Sequence, residues 1–143
     1  AFAIVTLVRD ANGEVTDLNR WKGLGKRSPW IAATFAGFLL AFAGIPLTSG
    51  FIGKFSIFSA AYENGATAVV ITGVLSSAVA AFFYIRVIVL MFFTDAVEDG
   101  TAVEVPSILT RATIVIAAVI TLVLGIYPAP VLDFITDLAI FIR

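Results

Sequence analysis

The stretch Gly44-Ile-Pro-Leu-Thr-Ser-Gly-Phe-Ile-Gly-Lys54-Phe55 interrupts a long apolar run, residues 29–62. A straight helix over that run would be about 50 Å long, whereas the hydrocarbon core of a bilayer is about 30 Å thick. Pro46, placed between Gly44 and Gly50, favours a broken helix over a heavily tilted one. We therefore predict a half-helix over 29–45, an unwound link near 46–50 and a second half-helix over 51–62.

The composition places the chain in the membrane class. Of its 143 residues, 60% are hydrophobic and only 13% are charged, about half the charged fraction of ~25% in soluble proteins. The mean hydropathy is +1.05. Cysteine and histidine are both absent, which excludes a disulfide framework, a thiolate metal site and the commonest metal ligand.

We predict an all-α fold, a polytopic transmembrane helix bundle that forms one transmembrane domain over 1–143. The run 1–8 spans only about 12 Å as a helix, so we expect it to be the end of a helix and the chain to be the C-terminal part of a longer protein. The predicted segments, in order, are the end of one helix 1–8, a loop 9–28, the broken helix (about 29–62), a helix 66–93, a loop 94–110, a helix 111–127 and an amphipathic tail 131–143.

The distribution of basic residues predicts the orientation. The loop 9–28 holds five Lys and Arg residues, and such an excess marks the cytoplasmic side. The loop 94–110 then returns to the cytoplasm, and the C-terminus lies on the non-cytoplasmic side. We interpret the basic segment 20–27 as a topology signal and expect no nucleic-acid partner. Trp21 and Trp30 are expected at the membrane–water interface.

The tail 131–143 has the pattern of an amphipathic helix. Leu132, Ile135, Leu138 and Ile142 are spaced for one helical face, while Asp133 and Asp137 share another. Such a helix could lie in the interface plane or pack beneath a neighbour.

Lys54 is the strongest candidate for a functional group. It lies about 12 Å of helical rise from the turn at residue 62, close to the middle of the bilayer. Burial disfavours the charged form of an amine, so a lysine there is suited to take up and release a proton. We expect the helix break to line a proton path through Gly44, Pro46, Thr48, Ser49, Gly50 and Gly53. The alternative is a structural lysine, snorkelling or ion-paired, beside a simple kink.

Two further polar residues fall in the next predicted helix. Arg86 lies about 10 Å from the helix end at Phe93 and cannot release a proton, so we expect a paired or snorkelling side chain with a structural or field-tuning role. Tyr84 could bridge to water, although an interfacial aromatic is the commoner explanation.

The motif resembles the broken-helix signature of the antiporter-like, proton-translocating membrane subunits of respiratory complex I (NADH:quinone oxidoreductase). Its run Gly-Phe-Ile-Gly-Lys-Phe is most similar to the N-type members. Two other stretches support the resemblance, which extends from about Arg20 to the C-terminus: Phe83-Tyr84-Ile85-Arg86-Val87 and Leu124-Gly125-Ile126-Tyr127-Pro128-Ala129-Pro130.

The resemblance implies that Lys54 is the terminal membrane lysine of a proton half-channel in a bacterial plasma (inner) membrane protein. It implies other membrane subunits of the complex, and the lipid bilayer, as partners. No cofactor is expected in this chain, because NADH, FMN, iron–sulfur clusters and quinone are handled by other subunits. Two alternatives stay open: a subunit of a multisubunit sodium/proton antiporter or membrane-bound hydrogenase, and a non-transporting packing subunit.

Overall fold

The computed structural model describes residues 1–10, 13–14, 17–95, 102–103 and 106–140, with side chains over 1–9, 17–95 and 106–135. Most of these residues are helical. The described helices are α1 (Phe2–Val5), α2 (Leu24–Arg27), α3 (Pro29–Ala43), α4 (Ser49–Glu63), α5 (Thr67–Phe93), α6 (Ile108–Ile126) and α7 (Ala129–Ile140).

Two of the described helices are long and apolar enough to cross a membrane. They are α5 and α6, each with a mean hydropathy of 2.2 over its most apolar part, and α3 is a shorter apolar helix. Only 11% of that apolar part is buried within the chain for either helix. Their apolar side chains therefore face lipid or other protein, as expected of membrane helices.

Where α3 ends, five residues are not helical before α4 begins. The segment 44–48 lies within the run that a continuous helix would have occupied. The non-helical segment begins two residues earlier than we predicted, because Gly44 leaves the helix, and it ends two residues earlier, because Ser49 and Gly50 already belong to α4.

A small sheet departs from the all-α prediction. It has the order β2-β1-β3, formed by β1 (Val8–Asp10), β2 (Gly13–Glu14) and β3 (Ala102–Val103). Both pairings are antiparallel, with Arg9 opposite Glu14 and Val8 opposite Val103. Consequently, the helix that we predicted over 1–8 is confined to Phe2–Val5. Strands of two or three residues are too short for a period-2 pattern, so the sequence did not reveal them.

The core lies at one end of the bundle, where α1, α2, α3, α5 and α6 meet. Ile4, Leu24 and Met91 are fully buried there. Trp21, at the end of a 3₁₀ helix (Leu18–Trp21), is also buried, and its ring centroid lies 5.2 Å from that of Phe35. The 3₁₀ helix thus turns the indole inwards against the chain, and the place of Trp21 at the membrane–water interface stays a prediction.

The loop after β2 and the end of α5 are joined at this same end. The Gly23 amide donates to the Leu90 carbonyl oxygen at 3.2 Å, and the Lys26 amine lies 3.0 Å from an Asp95 carboxylate oxygen. The described parts of the segments 9–28 and 94–110 therefore lie on one side of the bundle. The residues 96–101 and 104–105 lie outside the described residues.

The tail is helical as far as it is described. In α7, Leu132 is 40% exposed and Ile135 is 55% exposed. The side chains of Asp137 and Leu138, and residue Ile142, lie outside the described residues.

Candidate functional site: the junction of α3 and α4

The end of α3 is shaped by Gly44. This residue has the left-handed angles φ 82° and ψ 39°, which glycine adopts without steric penalty. Its amide donates to the carbonyl oxygens of Leu40 and Ala41, and the Ile45 amide also donates to Leu40. This is a Schellman ending, and it leaves the carbonyls of Phe42 and Ala43 to other donors.

Lys54 supplies a donor to both of those carbonyls. Its Nζ donates to the Phe42 oxygen at 2.9 Å and to the Ala43 oxygen at 3.1 Å. The carbonyl end of a helix carries partial negative charge, which favours a cation there. Lys54 is partly buried, and among the side chains that the structure describes no carboxylate pairs with it. The amine thus joins the two helices through backbone oxygens alone.

Three local features define the backbone of the segment 44–48. Pro46 has no amide hydrogen, so it removes one donor from the segment. Thr48 is buried, and its hydroxyl donates to the Ile45 carbonyl oxygen at 2.7 Å. Leu47 has φ 73°, a value that a branched side chain adopts only under strain. Ser49 begins α4.

Of the predicted glycines, Gly50 is needed for close approach, Gly44 is needed chiefly for its φ of 82°, and Gly53 meets neither need. A Cβ at Gly50 would lie 1.8 Å from the Ala41 carbonyl oxygen, and one at Gly44 would lie 3.0 Å from Lys54 Cδ. Gly50 therefore lets the first turn of α4 pack directly against the last turn of α3. Gly53 is exposed, with no atom within 4 Å of the position a Cβ would take, so nothing described here requires a glycine there.

Gly125 also belongs to the junction, although its place in the sequence did not indicate this. A Cβ at this position in α6 would lie 2.3 Å from the Leu47 carbonyl oxygen and 2.4 Å from Thr48 Cα. The last turn of α6 thus rests on the backbone between α3 and α4. In the sequence, the only indication of its role is that a glycine interrupts an otherwise helical pattern.

Tyr84 and Arg86, the two polar residues of α5 considered above, differ in their surroundings. The Tyr84 ring centroid lies 5.8 Å from that of Phe42, whose carbonyl accepts from Lys54, so Tyr84 lies beside the end of α3. Arg86 is exposed and has no hydrogen-bond or ion-pair partner in the part of the chain that the structure describes. The structure thus gathers Gly44, Thr48, Gly50, Lys54 and Tyr84 at the junction and leaves Gly53 and Arg86 outside it.

Comparison with known proteins identifies the family. Residues 1–80 match the family described as NADH:quinone oxidoreductase/Mrp antiporter, transmembrane. The chain belongs to this family. The match confirms the resemblance that the Lys54 motif predicted, and it establishes the chain as a membrane protein.

Relatives within the family share a subunit name. The chain is 64% identical, over its whole length, to NADH-quinone oxidoreductase subunit N 3 of Streptomyces griseus and 59% identical to subunit N of Rhodococcus opacus. It covers 26% of each, so it spans about a quarter of the length of the curated relatives that it matches. It also resembles a chain in respiratory complex I from Thermus thermophilus with bound aureothin. That likeness has a TM-score of 0.70 and 31% identity, over 81% of this chain and 26% of that one.

Proposed function

We propose that the chain is the C-terminal part of a subunit N that translocates protons in an NADH:quinone oxidoreductase. In this proposal, α3 and α4 form one interrupted membrane crossing, and Lys54 is the titratable group of a half-channel beside the interruption. The observation that carries the proposal is the position of the Lys54 amine, 2.9 and 3.1 Å from two backbone carbonyl oxygens at the end of α3.

The length of the two helices supports a single interrupted crossing. Each has 15 residues, or about 22 Å of helical rise, which is short of the ~30 Å hydrocarbon core. Irregular backbone at membrane depth is tolerated only where protein buries it or a wet cavity adjoins it. Discontinuous helices of this kind expose backbone carbonyls to coupling ions in membrane transporters.

The hydrogen bonds of Lys54 suit a group that changes its protonation state. A charged amine has three N–H donors, and two of them are used by Phe42 and Ala43. Loss of the third proton leaves a neutral amine that still donates to both carbonyls. The two contacts that join α4 to α3 therefore do not depend on the third N–H, and among the described side chains no carboxylate pairs with Lys54.

The arrangement of the loops supports the proposed orientation. We place 9–28 and 94–110 in the cytoplasm and the C-terminus on the other side of a bacterial plasma membrane, with several membrane crossings. The Lys26–Asp95 contact of 3.0 Å supports a common side for the two loops, and the basic residues of the first loop favour the cytoplasm.

The proposed partners and cofactors rest on the resemblance to complex I subunits. We propose that the chain assembles with the other membrane subunits of the complex. In this scheme, NADH, FMN, iron–sulfur clusters and quinone act in other subunits, and this chain carries no redox chemistry of its own. In the part of the chain described by the structure, no group of three or more His, Cys, Asp or Glu could hold a metal ion.

The test is proton pumping by the complete complex. Lys54→Ala is introduced into the full-length subunit, the complex is reconstituted in vesicles, and proton transfer per NADH oxidised is measured with a pH-sensitive dye. We expect a marked fall, because the titratable amine is lost. Lys26→Ala is the matched control, since it removes an exposed lysine from the same chain. Equal pumping by the two variants would mean that Lys54 has a structural role and does not carry protons.

A second candidate function comes from the family description, which also covers Mrp antiporters. Under that alternative the same junction would serve a sodium/proton antiporter subunit. Purification of the full-length protein with its bound partners separates the two: NADH dehydrogenase subunits support the first function, and further antiporter subunits support the second.

A further inference from the structure

The segment between α3 and α4 contains a strained residue that its own side chain does not hold in place. Leu47 has φ 73°, and a residue other than glycine keeps such an angle only where the surrounding structure holds it there. The Leu47 side chain is 66% exposed, so it contributes little packing within the described chain. The Thr48 hydroxyl donates to the Ile45 carbonyl oxygen at 2.7 Å and closes the segment around Leu47. Further support comes from α6.

The contact between α6 and this segment is made at Gly125. A Cβ there would lie 2.3 Å from the Leu47 carbonyl oxygen, 2.5 Å from the Leu47 carbonyl carbon and 2.4 Å from Thr48 Cα. All three are backbone atoms, so rotation of a side chain could not make room for it. Gly125 itself lies within α6 and does not have a positive φ. Its conformation would therefore accept other residues, and the close contact is what requires glycine.

The position of the segment determines where α4 begins. The Thr48 carbonyl oxygen accepts the Phe51 amide at 3.1 Å in the first turn of α4, and Lys54 lies in the following turn. The Lys54 Nζ donates to the Phe42 and Ala43 oxygens at 2.9 and 3.1 Å. Because such bonds are lost beyond about 3.5 Å, a shift of α4 away from α3 by more than about 0.6 Å would break both of them.

We propose that Gly125 is a positioning residue for Lys54. By admitting the backbone of Leu47 and Thr48 against α6, it fixes the start of α4 and keeps the Lys54 amine at the end of α3. An alanine at this position would force a movement of about 0.7 Å to reach the 3.0 Å that Cβ atoms keep from other atoms. This movement is larger than the Lys54 contacts tolerate. The expected effect on proton pumping rests on the proposed function of Lys54, whereas the effect on its position does not.

Two measurements on the complete complex carrying Gly125→Ala in the full-length subunit test the proposal. Cryo-electron microscopy gives the distances from Lys54 Nζ to the Phe42 and Ala43 oxygens, and reconstituted vesicles give the protons pumped per NADH oxidised. We expect both distances to exceed about 3.5 Å and the pumping ratio to fall most of the way to that of Lys54→Ala. The double variant should pump no less than Lys54→Ala alone, because Gly125 acts through the amine.

Gly25→Ala is the matched control. A Cβ at Gly25 would lie 2.6 Å from Phe92 Cδ1, so this variant also introduces a close contact. Gly25 lies in α2, beside the start of α3, whereas Lys54 binds at the end of α3. The control should therefore keep the Lys54 contacts and the pumping ratio of the wild type.

Three results would overturn the proposal. One is a Gly125→Ala complex in which the Lys54 contacts are unchanged, and another is a wild-type pumping ratio in Gly125→Ala where Lys54→Ala is defective. The third is a wild-type complex in which α6 does not touch the Leu47 backbone, and this result counts even if Gly125→Ala fails to assemble. Normal pumping by Lys54→Ala would instead refute the proposed function, since the distances are measured independently of pumping.

Discussion

An alanine at position 50 is predicted to separate the first turn of α4 from the last turn of α3. The added Cβ would lie 1.8 Å from the Ala41 carbonyl oxygen, whereas Cβ atoms essentially never approach other atoms more closely than 3.0 Å. The two turns must therefore move apart by about 1.2 Å. The Lys54 contacts, now 2.9 and 3.1 Å, would lengthen to about 4 Å, beyond hydrogen-bond range.

The change in the free energy of unfolding of Gly50→Ala follows from two opposing effects. Overpacking destabilises by about 1–3 kcal/mol, while replacing glycine by alanine within a helix stabilises by about 1 kcal/mol. Gly50→Ala should therefore be destabilised by about 0–2 kcal/mol. Gly53→Ala, one turn along the same helix, should be stabilised by up to about 1 kcal/mol, because nothing lies within 4 Å of its Cβ position.

The assay measures both stability and function in the complete complex. Thermal unfolding gives the difference between the two variants, expected at about 1–3 kcal/mol, and NADH-driven proton uptake by vesicles gives the effect on pumping. We expect Gly50→Ala to lower pumping and Gly53→Ala to retain it. If the two variants unfold at the same temperature and pump equally, the close packing of α4 on α3 has no part in function.

Substitutions at two further positions test the segment between α3 and α4 by thermal unfolding. Gly125→Ala should destabilise by about 1–3 kcal/mol, because its Cβ would lie 2.3 Å from the Leu47 carbonyl oxygen; unchanged stability would mean that α6 does not rest on this backbone. Leu47→Gly should keep its stability, since φ is 73°, whereas Leu47→Ile should lose about 1 kcal/mol. If Leu47→Gly were less stable than Leu47→Ile, the backbone at residue 47 would not be strained.

The sequence could predict the interruption near Pro46 but not its limits. Proline and the paired glycines signalled a departure from helix, and we treated Gly50 as part of it. In the structure Gly50 is helical, and its role is close contact with Ala41. A glycine required for packing looks the same in a sequence as one required for a turn, because only the partner across the contact distinguishes them.

The contacts of Lys54 could not be predicted from the sequence either. Its depth and its place after the interruption followed from spacing alone. Its contact with Phe42 and Ala43 depends on how α4 is directed after the turn, which the angles of Gly44 and Leu47 decide. Gly125 was missed for the same reason, since its importance arises from a backbone more than 70 residues earlier in the chain.

The most direct test of the central claim is the ratio of protons pumped to NADH oxidised in Lys54→Arg. Arginine keeps a positive charge and several N–H donors for the carbonyls of Phe42 and Ala43, but it does not release a proton. If Lys54 acts by taking up and releasing protons, the variant complex assembles and its pumping ratio falls as far as that of Lys54→Ala. A wild-type ratio in Lys54→Arg would show that a fixed charge at the end of α3 is sufficient, and the proposed role of Lys54 would be wrong.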